Sequence, residues 1–270
     1  MTTKNSIKRT VPMKKTFAFL AAVVFFFSAK AQSFEIGARY LAESNWFFNS
    51  NVSNSGGAPW NVSQNYDAVY SYSYGVHLAY NFSDHVGLET DVQWASLSQS
   101  YNGSFQNVGM LPASSGPASV YYGGESYRST VSVNAVQIPV VFRFLAGNGA
   151  YFGLGPEINI VGNANYSATY KGGPVPSQSY GVGNYFASSY FDAVLSFGNN
   201  IRISHSFFFN INLRFNYDFT DMKGVDALGQ NLKSGSLYSG SQPFYSSYQT
   251  TNAASAAFGV GLIYRIGHDF

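Results

Sequence analysis

The chain reads as an all-β protein: an eight-stranded antiparallel up-and-down transmembrane β-barrel that follows an N-terminal signal peptide. Three observations predict this. Apolar and polar residues alternate with period two over eight segments. The connections between those segments alternate between short and long. Charged residues make up only 10% of the 270 residues, while aromatics make up 18%. Average proteins carry roughly 25% charged residues, so much of this surface does not face bulk water. Mean hydropathy is −0.06, and past the leader no run approaches the ~18 apolar residues of a membrane helix. Hydrocarbon admits only helices and closed barrels, and interleaving selects the barrel.

The leader begins at Met13, in MKKTFAFLAAVVFFFSAKAQS. Lys14 and Lys15 form a basic start, Phe17 to Phe27 an apolar stretch, and Ala29-Lys30-Ala31 a small-x-small cleavage site. Residues 1–31 are therefore expected to be removed, with 1–12 as an upstream start extension, leaving 32–270 as the barrel. The leader holds Lys4, Lys8, Arg9, Lys14, Lys15 and Lys30 and no acid. The mature chain then keeps nine basic and thirteen acidic residues, net −4. That balance removes the electrostatic basis for binding nucleic acid. With no cysteine, disulfides, thiol nucleophiles and Cys-based metal sites are excluded.

Each strand follows from its alternation. The first, Phe34 to Phe48, sets Phe34, Ile36, Ala38 and Tyr40 outward and Glu35, Gly37, Arg39 and Glu43 inward. In the second, Tyr66 to Phe82, tyrosines 70, 72, 74 and 80 face out, and Ser71, Ser73, His77 and Asn81 face in. The third, Val86 to Tyr101, opposes Val86, Leu88, Val92 and Trp94 to Gly87, Glu89, Asp91 and Gln93. The fourth, Ser129 to Leu145, has Ile138, Val140, Phe142 and Phe144 outward and Gln137, Pro139 and Arg143 inward. Its phase breaks near Ala135-Val136, which predicts a bulge in this strand. The fifth, Tyr151 to Val161, sets Phe152, Leu154, Ile158 and Ile160 against Gly153, Gly155, Glu157 and Asn159. The sixth, Ser189 to Ile203, turns Asp192, Ser196, Asn200 and Arg202 inward. The seventh, Phe207 to Phe219, turns Asn210, Asn212, Arg214, Asn216 and Asp218 inward. The eighth, Ala256 to Phe270, carries Phe258, Val260, Leu262, Tyr264 and Ile266 outward, with Gly259, Gly261 and Arg265 inward.

Tight turns follow strands two, four and six. Long loops span roughly residues 49–65, 102–128, 162–188 and 220–252. Short periplasmic turns and long external loops are the habit of outer-membrane barrels, which puts both termini on the periplasmic side of a Gram-negative outer membrane. The loops are rich in Ser, Gly, Asn and Tyr, and Tyr121, Tyr122 and Tyr245 are expected to extend hairpins above the membrane.

The layout resembles the PorT-like outer-membrane β-barrel family common in Bacteroidetes and, more distantly, the OmpA-like barrels. The resemblance lies in the leader ending Ala-Lys-Ala-Gln-Ser, in Val136–Phe144 (VQIPVVFRF), in Tyr151–Glu157 (YFGLGPE) and in the strand from Phe207 to Met222. It implies an outer-membrane barrel, and Pro139 as a family feature. The family's namesake takes part in protein secretion.

The inward faces collect Glu35, Arg39, Glu43, His77, Glu89, Asp91, Arg143, Glu157, Asp192, Arg202, Arg214, Asp218 and Arg265. An eight-stranded barrel is just wide enough for side chains to fill it, so these groups are expected to form a hydrogen-bonded polar plug. A polar path for ions or small solutes is the alternative. No histidine falls in a long loop: His85 and His205 lie in tight turns, His268 at the end of strand eight and His77 in the lumen. That argues against a His-dependent external active site. No carboxylate cluster in the loops suits Ca²⁺, and Gly-x-Gly at Gly153 and Gly259 precedes no helix. We expect no catalytic residue, cofactor or metal. The expected partners are outer-membrane lipid and, through four uncharged external loops, a surface ligand or envelope protein.

Overall fold

The computed structural model describes residues 33–49, 62–67, 69–105, 109–111, 119–121, 126–171, 178–223 and 250–267. The expected leader, His268, Phe270 and the loop tyrosines 122 and 245 lie outside the described residues. Eight long strands form the wall: β1 (Ser33–Asn49), β2 (Tyr70–Asn81), β3 (Val86–Phe105), β4 (Ser126–Leu145), β5 (Ala150–Lys171), β6 (Ser189–Arg202), β7 (Phe207–Asp218) and β8 (Thr251–Gly267). Each pairs antiparallel with the next, and β8 pairs with β1 from Ser33↔Gly267 to Asn49↔Thr251. The sheet therefore closes into one ring with no open edge around its girth.

The tight joins are at residues 82–85, 146–149 and 203–206, on the rim where β1 begins and β8 ends. In the middle turn Ala146 N–H donates to Ala150 O at 2.8 Å, and Gly149 takes φ +85°. A left-handed residue of this kind suits glycine.

Outward side chains through the middle of the wall are apolar. Ile36, Val76, Phe142, Leu154, Leu213 and Leu262 remain 41–53% exposed. A ring of exposed aliphatic and aromatic side chains around a closed sheet is a surface for hydrocarbon, not water. Aromatic rings border this band. On one side Tyr70, Tyr72 and Tyr74 stack along β2, joined by Tyr40 and Trp94. Toward the turn rim, Phe144, Phe152 and Phe197 run across three neighbouring strands. Such rings suit the membrane interface.

Above the tyrosine ring the sidedness inverts. Leu97 on β3, Val131 and Val133 on β4, and Ala164 and Tyr166 on β5 point inward and are buried. Asn134, Asn163 and Asn165 point outward and are exposed. Strands β3, β4 and β5 have 20, 20 and 22 residues, well beyond the ~9–11 that cross a bilayer. Their upper halves stand in water, so apolar groups turn inward, as in a soluble protein.

The bulge expected near Ala135-Val136 is present between β4 and β5, but its extra residue is not on β4. Val131, Val133, Ala135, Gln137, Val141 and Arg143 all face inward, so β4 keeps its phase throughout. The break in its hydrophobic pattern marks a change of surroundings. The register does shift at Asn134/Ala135, but the extra residue is on β5: Asn134 faces Asn163 and Ala135 faces Val161, leaving Gly162 unpaired. Inward residues on β5 change from odd (Glu157, Asn159) to even (Ala164, Tyr166) across that glycine.

Strand bounds differ most on the long-loop side. The second strand starts at Tyr70 rather than Tyr66. Residues Val62–Asp67 form a separate short strand on the upper edge of β3, from Val62↔Phe105 to Asp67↔Ser100. Because β3 outruns β2, its backbone there needs another partner, and the returning chain supplies it. On β5, Gln178–Gly181 does the same against 165–168. Pro139 sits buried on the inner face, where pairs between β3 and β4 are absent for Asp91 and Val92. A residue with no N–H to donate interrupts the ladder at that edge in this way.

Candidate functional site

The lumen contains two polar layers of opposite character. The lower layer, toward the turn rim, is an ion-pair cluster that crosses the barrel. Alternation on β1 aims Glu35 and Arg39 inward, and on β3 Glu89 and Asp91. Arg143, Arg214 and Arg265 enter from β4, β7 and β8. Arg39 Nη1 donates to Glu89 Oε1 at 2.6 Å and to Asp91 Oδ2 at 2.8 Å. Arg214 Nη2 reaches the same Asp91 Oδ2 at 2.6 Å from the opposite wall. Arg143 bridges Glu35 Oε2 at 2.9 Å and Glu89 Oε2 at 3.3 Å. Arg265 donates to Glu35 Oε1 from Nε at 3.0 Å and Nη2 at 2.7 Å. His77 Nδ1 lies 2.8 Å from Asp91 Oδ1.

All these side chains except Arg265, which is half-buried, are buried. Burying charge is costly without partners, and here each carboxylate meets at least two cations or strong donors. Asn81 links Ser33, Glu35 and Arg143, and Gln93 links Asp91 and Arg214. Arg39 and Arg143 each bridge two carboxylates, and such charge-assisted contacts fix orientation as well as charge.

Tyr151 was not among the expected site residues. Its hydroxyl accepts from Asn210 at 3.1 Å and Asn212 at 3.2 Å, and the Arg143 guanidinium lies 5.4 Å from its ring centre. Its parity with Gly153 and Glu157 was the available signal. The glycines of this face make room: a Cβ on Gly153 would come within 2.5 Å of Ser196 Oγ, and one on Gly259 within 2.7 Å of Leu41 Cδ2. This crowding accounts for both Gly-x-Gly segments.

Arg202 departs from the expected network. It is exposed at the turn-side mouth, with its guanidinium 5.6 Å from the Phe208 ring. The mouth is a cavity of about 680 Å³ lined also by Asp84, His85, Asn200 and Arg265. Being the last residue of β6, Arg202 has inward parity but reaches past the wall into solvent, where a charge is cheap.

The upper layer is acidic. Glu43, Glu157, Asp192 and Asp218 all face inward and are buried. Asp192 is directly opposite Glu157 on β5 and Asp218 on β7. Their donors are neutral: Ser73 to Glu43, Asn216 at 3.0 Å and Gln137 at 3.3 Å to Glu157, and Thr220 to Asp218. Above lies the inverted core, where Leu97, Tyr101, Val133, Tyr166, Tyr190 and Met222 close the space. Sequence reasoning missed this apolar lid.

Among the described residues, His77, Glu89 and Asp91 form the one group whose ligand atoms lie within 4.8 Å of one another as metal ligands would. Arg39, Arg143 and Arg214 already occupy those carboxylates. A cation there would have to displace guanidinium groups, so the arrangement suits an ion-pair plug and not a metal.

No family model matches the chain, and no curated protein matches it. Among solved structures, it is similar to Ail, the attachment invasion locus protein of Yersinia pestis, at 8% identity, TM-score 0.33, 88% of this chain and 100% of that one. It is similar to outer membrane protein OprG from Pseudomonas aeruginosa at 12% identity, TM-score 0.33, 90% of this chain and 99% of that one. It is similar to the outer membrane protease OmpT from Escherichia coli at 10% identity, TM-score 0.37, 89% of this chain and 100% of that one. Likenesses this distant assign no activity. The architecture stands on the chain's own closed ring of strand pairs.

Proposed function

We propose that this is an integral outer-membrane protein without enzymatic activity, whose barrel is a closed scaffold and whose external loops bind a surface ligand or envelope partner. One observation carries the reading: Arg39, Arg143 and Arg214 cross the lumen to meet carboxylates on β1 and β3, inside a cylinder clothed in exposed apolar side chains. A lumen bridged from wall to wall by ion pairs is a plug. The long loops rise on the side where the wall already carries a water-facing extension.

The enzyme reading lacks support among the described residues. His77 is committed to Asp91 inside the plug, and His85 and His205 are exposed on the tight-turn rim. We place the chain with the PorT-like barrels on the strength of Val136–Phe144 and Tyr151–Glu157. A role as an accessory subunit of protein secretion follows from that placement alone.

The test is reconstitution. Membrane fractionation with heat-modifiable migration on a detergent gel should place the folded protein in the outer membrane. Planar bilayers should show no stepwise conductance. Recovery as a free periplasmic protein, or discrete openings of uniform size, would overturn the proposal.

A further inference from the structure

The outer wall carries a notch at the level where it leaves the membrane. Two rows of outward side chains meet there. In the lower row Tyr74, Trp94, Val136 and Ile160 lie side by side on β2, β3, β4 and β5. In the row above, Tyr72, Ser96 and Asn134 do the same, and Asn163 follows on β5. Aromatic rings stand at one end: Tyr72 and Tyr74 stack with ring centres 6.5 Å apart, and Trp94 lies 6.1 Å from Tyr74. Beyond them the side chains shrink to Ser96, Val136 and the unpaired Gly162 of the bulge. The result is a groove of about 350 Å³, walled by Tyr72, Tyr74 and Trp94 on one side and by Ile160 on the other. That volume is within the range of small-molecule sites.

The two rows differ in chemistry. Val136 and Ile160 are outward on the same strands as the belt residues Phe142 and Leu154. Ser96, Asn134 and Asn163 are polar, and Asn134 donates its amide to Asn163 Oδ1 at 2.7 Å. A groove that is apolar toward the bilayer and hydrogen-bonding toward water suits an amphiphile lying across the interface. Acyl chains gain little by exchanging lipid for such a wall, since lipid tails are as apolar as leucine, so selection acts on the headgroup. None of the described residues that line the groove is charged. A phosphate would give up hydration there without meeting a counter-charge. A neutral, hydroxyl-rich ring meets both surfaces: its C–H face packs on the aromatic rings, and its hydroxyls bond Ser96 and Asn134.

We infer that this groove binds one glycolipid of the outer leaflet. Its uncharged sugar headgroup lies against Tyr72, Trp94 and Asn134, and its acyl chains descend past Val136 and Ile160. The inference rests on the wall facing the outer membrane, and it does not depend on what the loops bind.

The experiment uses the full chain, folded in detergent micelles and titrated with monogalactosyldiacylglycerol, with native mass spectrometry counting the bound lipid. We expect one saturable site per chain, at least tenfold tighter than for phosphatidylglycerol or diacylglycerol with the same acyl chains. Ser96→Phe, which fills the floor of the groove, should weaken binding at least tenfold while heat-modifiable migration persists. Trp94→Ala, which removes a wall, provides the same test should the first variant misfold. Phe215→Ala, outward on β7 away from the groove, should bind as the parent does. Folded protein that holds the galactolipid no more tightly than the other two lipids, or equally in parent and Ser96→Phe, would overturn the inference while leaving the barrel itself intact. Two further results would also overturn it: methyl β-galactoside binding as tightly as the lipid, which marks a free glycan, or a dimer lost in Ser96→Phe, which marks a second copy of the chain.

Discussion

The membrane section of the wall and the extension above it are built from the same continuous strands, yet they sort residues in opposite ways. On β4, Phe142 and Val140 face outward below while Asn134 faces outward above. Arg143 and Gln137 face inward below, whereas Val133 and Val131 do so above. The backbone alternates without interruption, and only the solvent changes. Hydrophobic patterning therefore reports what surrounds a strand as much as how the strand is phased. The two sections are also held together differently, by charge inside the membrane and by apolar packing outside it.

Substitutions that separate the two sections would break or sharpen this contrast. The largest effect is expected from Arg143→Leu, which leaves Glu35 and Glu89 short of a partner at a position with no exposure. Removing one member of a buried pair costs about 3–5 kcal/mol, which urea unfolding in micelles would read as a lowered midpoint for the whole barrel. Leu97→Ala, in the inverted core, should cost about 2–4 kcal/mol but locally. Limited proteolysis should cut the extracellular side faster, while heat-modifiable migration persists.

Charge on the outer face gives the next contrast. Leu154→Arg places a cation on the hydrocarbon belt, where it costs about 2–4 kcal/mol near the midplane. Asn134→Arg, outward on the neighbouring strand but above the belt, should cost about 0–1 kcal/mol. Equal losses in the two variants would remove the distinction between the sections. The smallest effect should come from Gly162→Ala, since a Cβ there meets nothing nearer than Asn134 O at 3.5 Å. Its melting point should stay within a few degrees of the parent. Deleting Gly162 should also be tolerated, because Asn163 would follow Val161 directly, their partners Asn134 and Ala135 are already adjacent, and Tyr166 would stay inward.

Much of the architecture was legible in the sequence. Period-two alternation located all eight strands, and the rhythm of short and long joins fixed their order around the ring. Parity alone assigned Glu35, Arg39, Glu89, Asp91, Arg143 and Arg214 to the lumen. The upper third of the wall was less legible, because a reading that assumes apolar residues face out stops each strand where that ceases to hold. Leu97, Val131, Val133 and Tyr166 then look like a loss of phase instead of a change of medium. The ion pairs and the acidic row were also hidden, since periodicity gives the face of a residue and not its neighbour. Register across β5, β6 and β7 brings Glu157, Asp192 and Asp218 abreast. Arg202 shows the limit of parity at a strand end, where an inward residue can clear the rim.

The most direct test of opposite sidedness uses the absence of native cysteine. Spin labels at Phe142→Cys and Asn134→Cys, both outward on β4, would be compared in reconstituted bilayers for collision with oxygen and with a water-soluble nickel chelate. The label at position 142 should be relaxed by oxygen and protected from nickel, and the label at 134 should show the reverse. The same collision profile at both positions would contradict a wall that leaves the membrane between them.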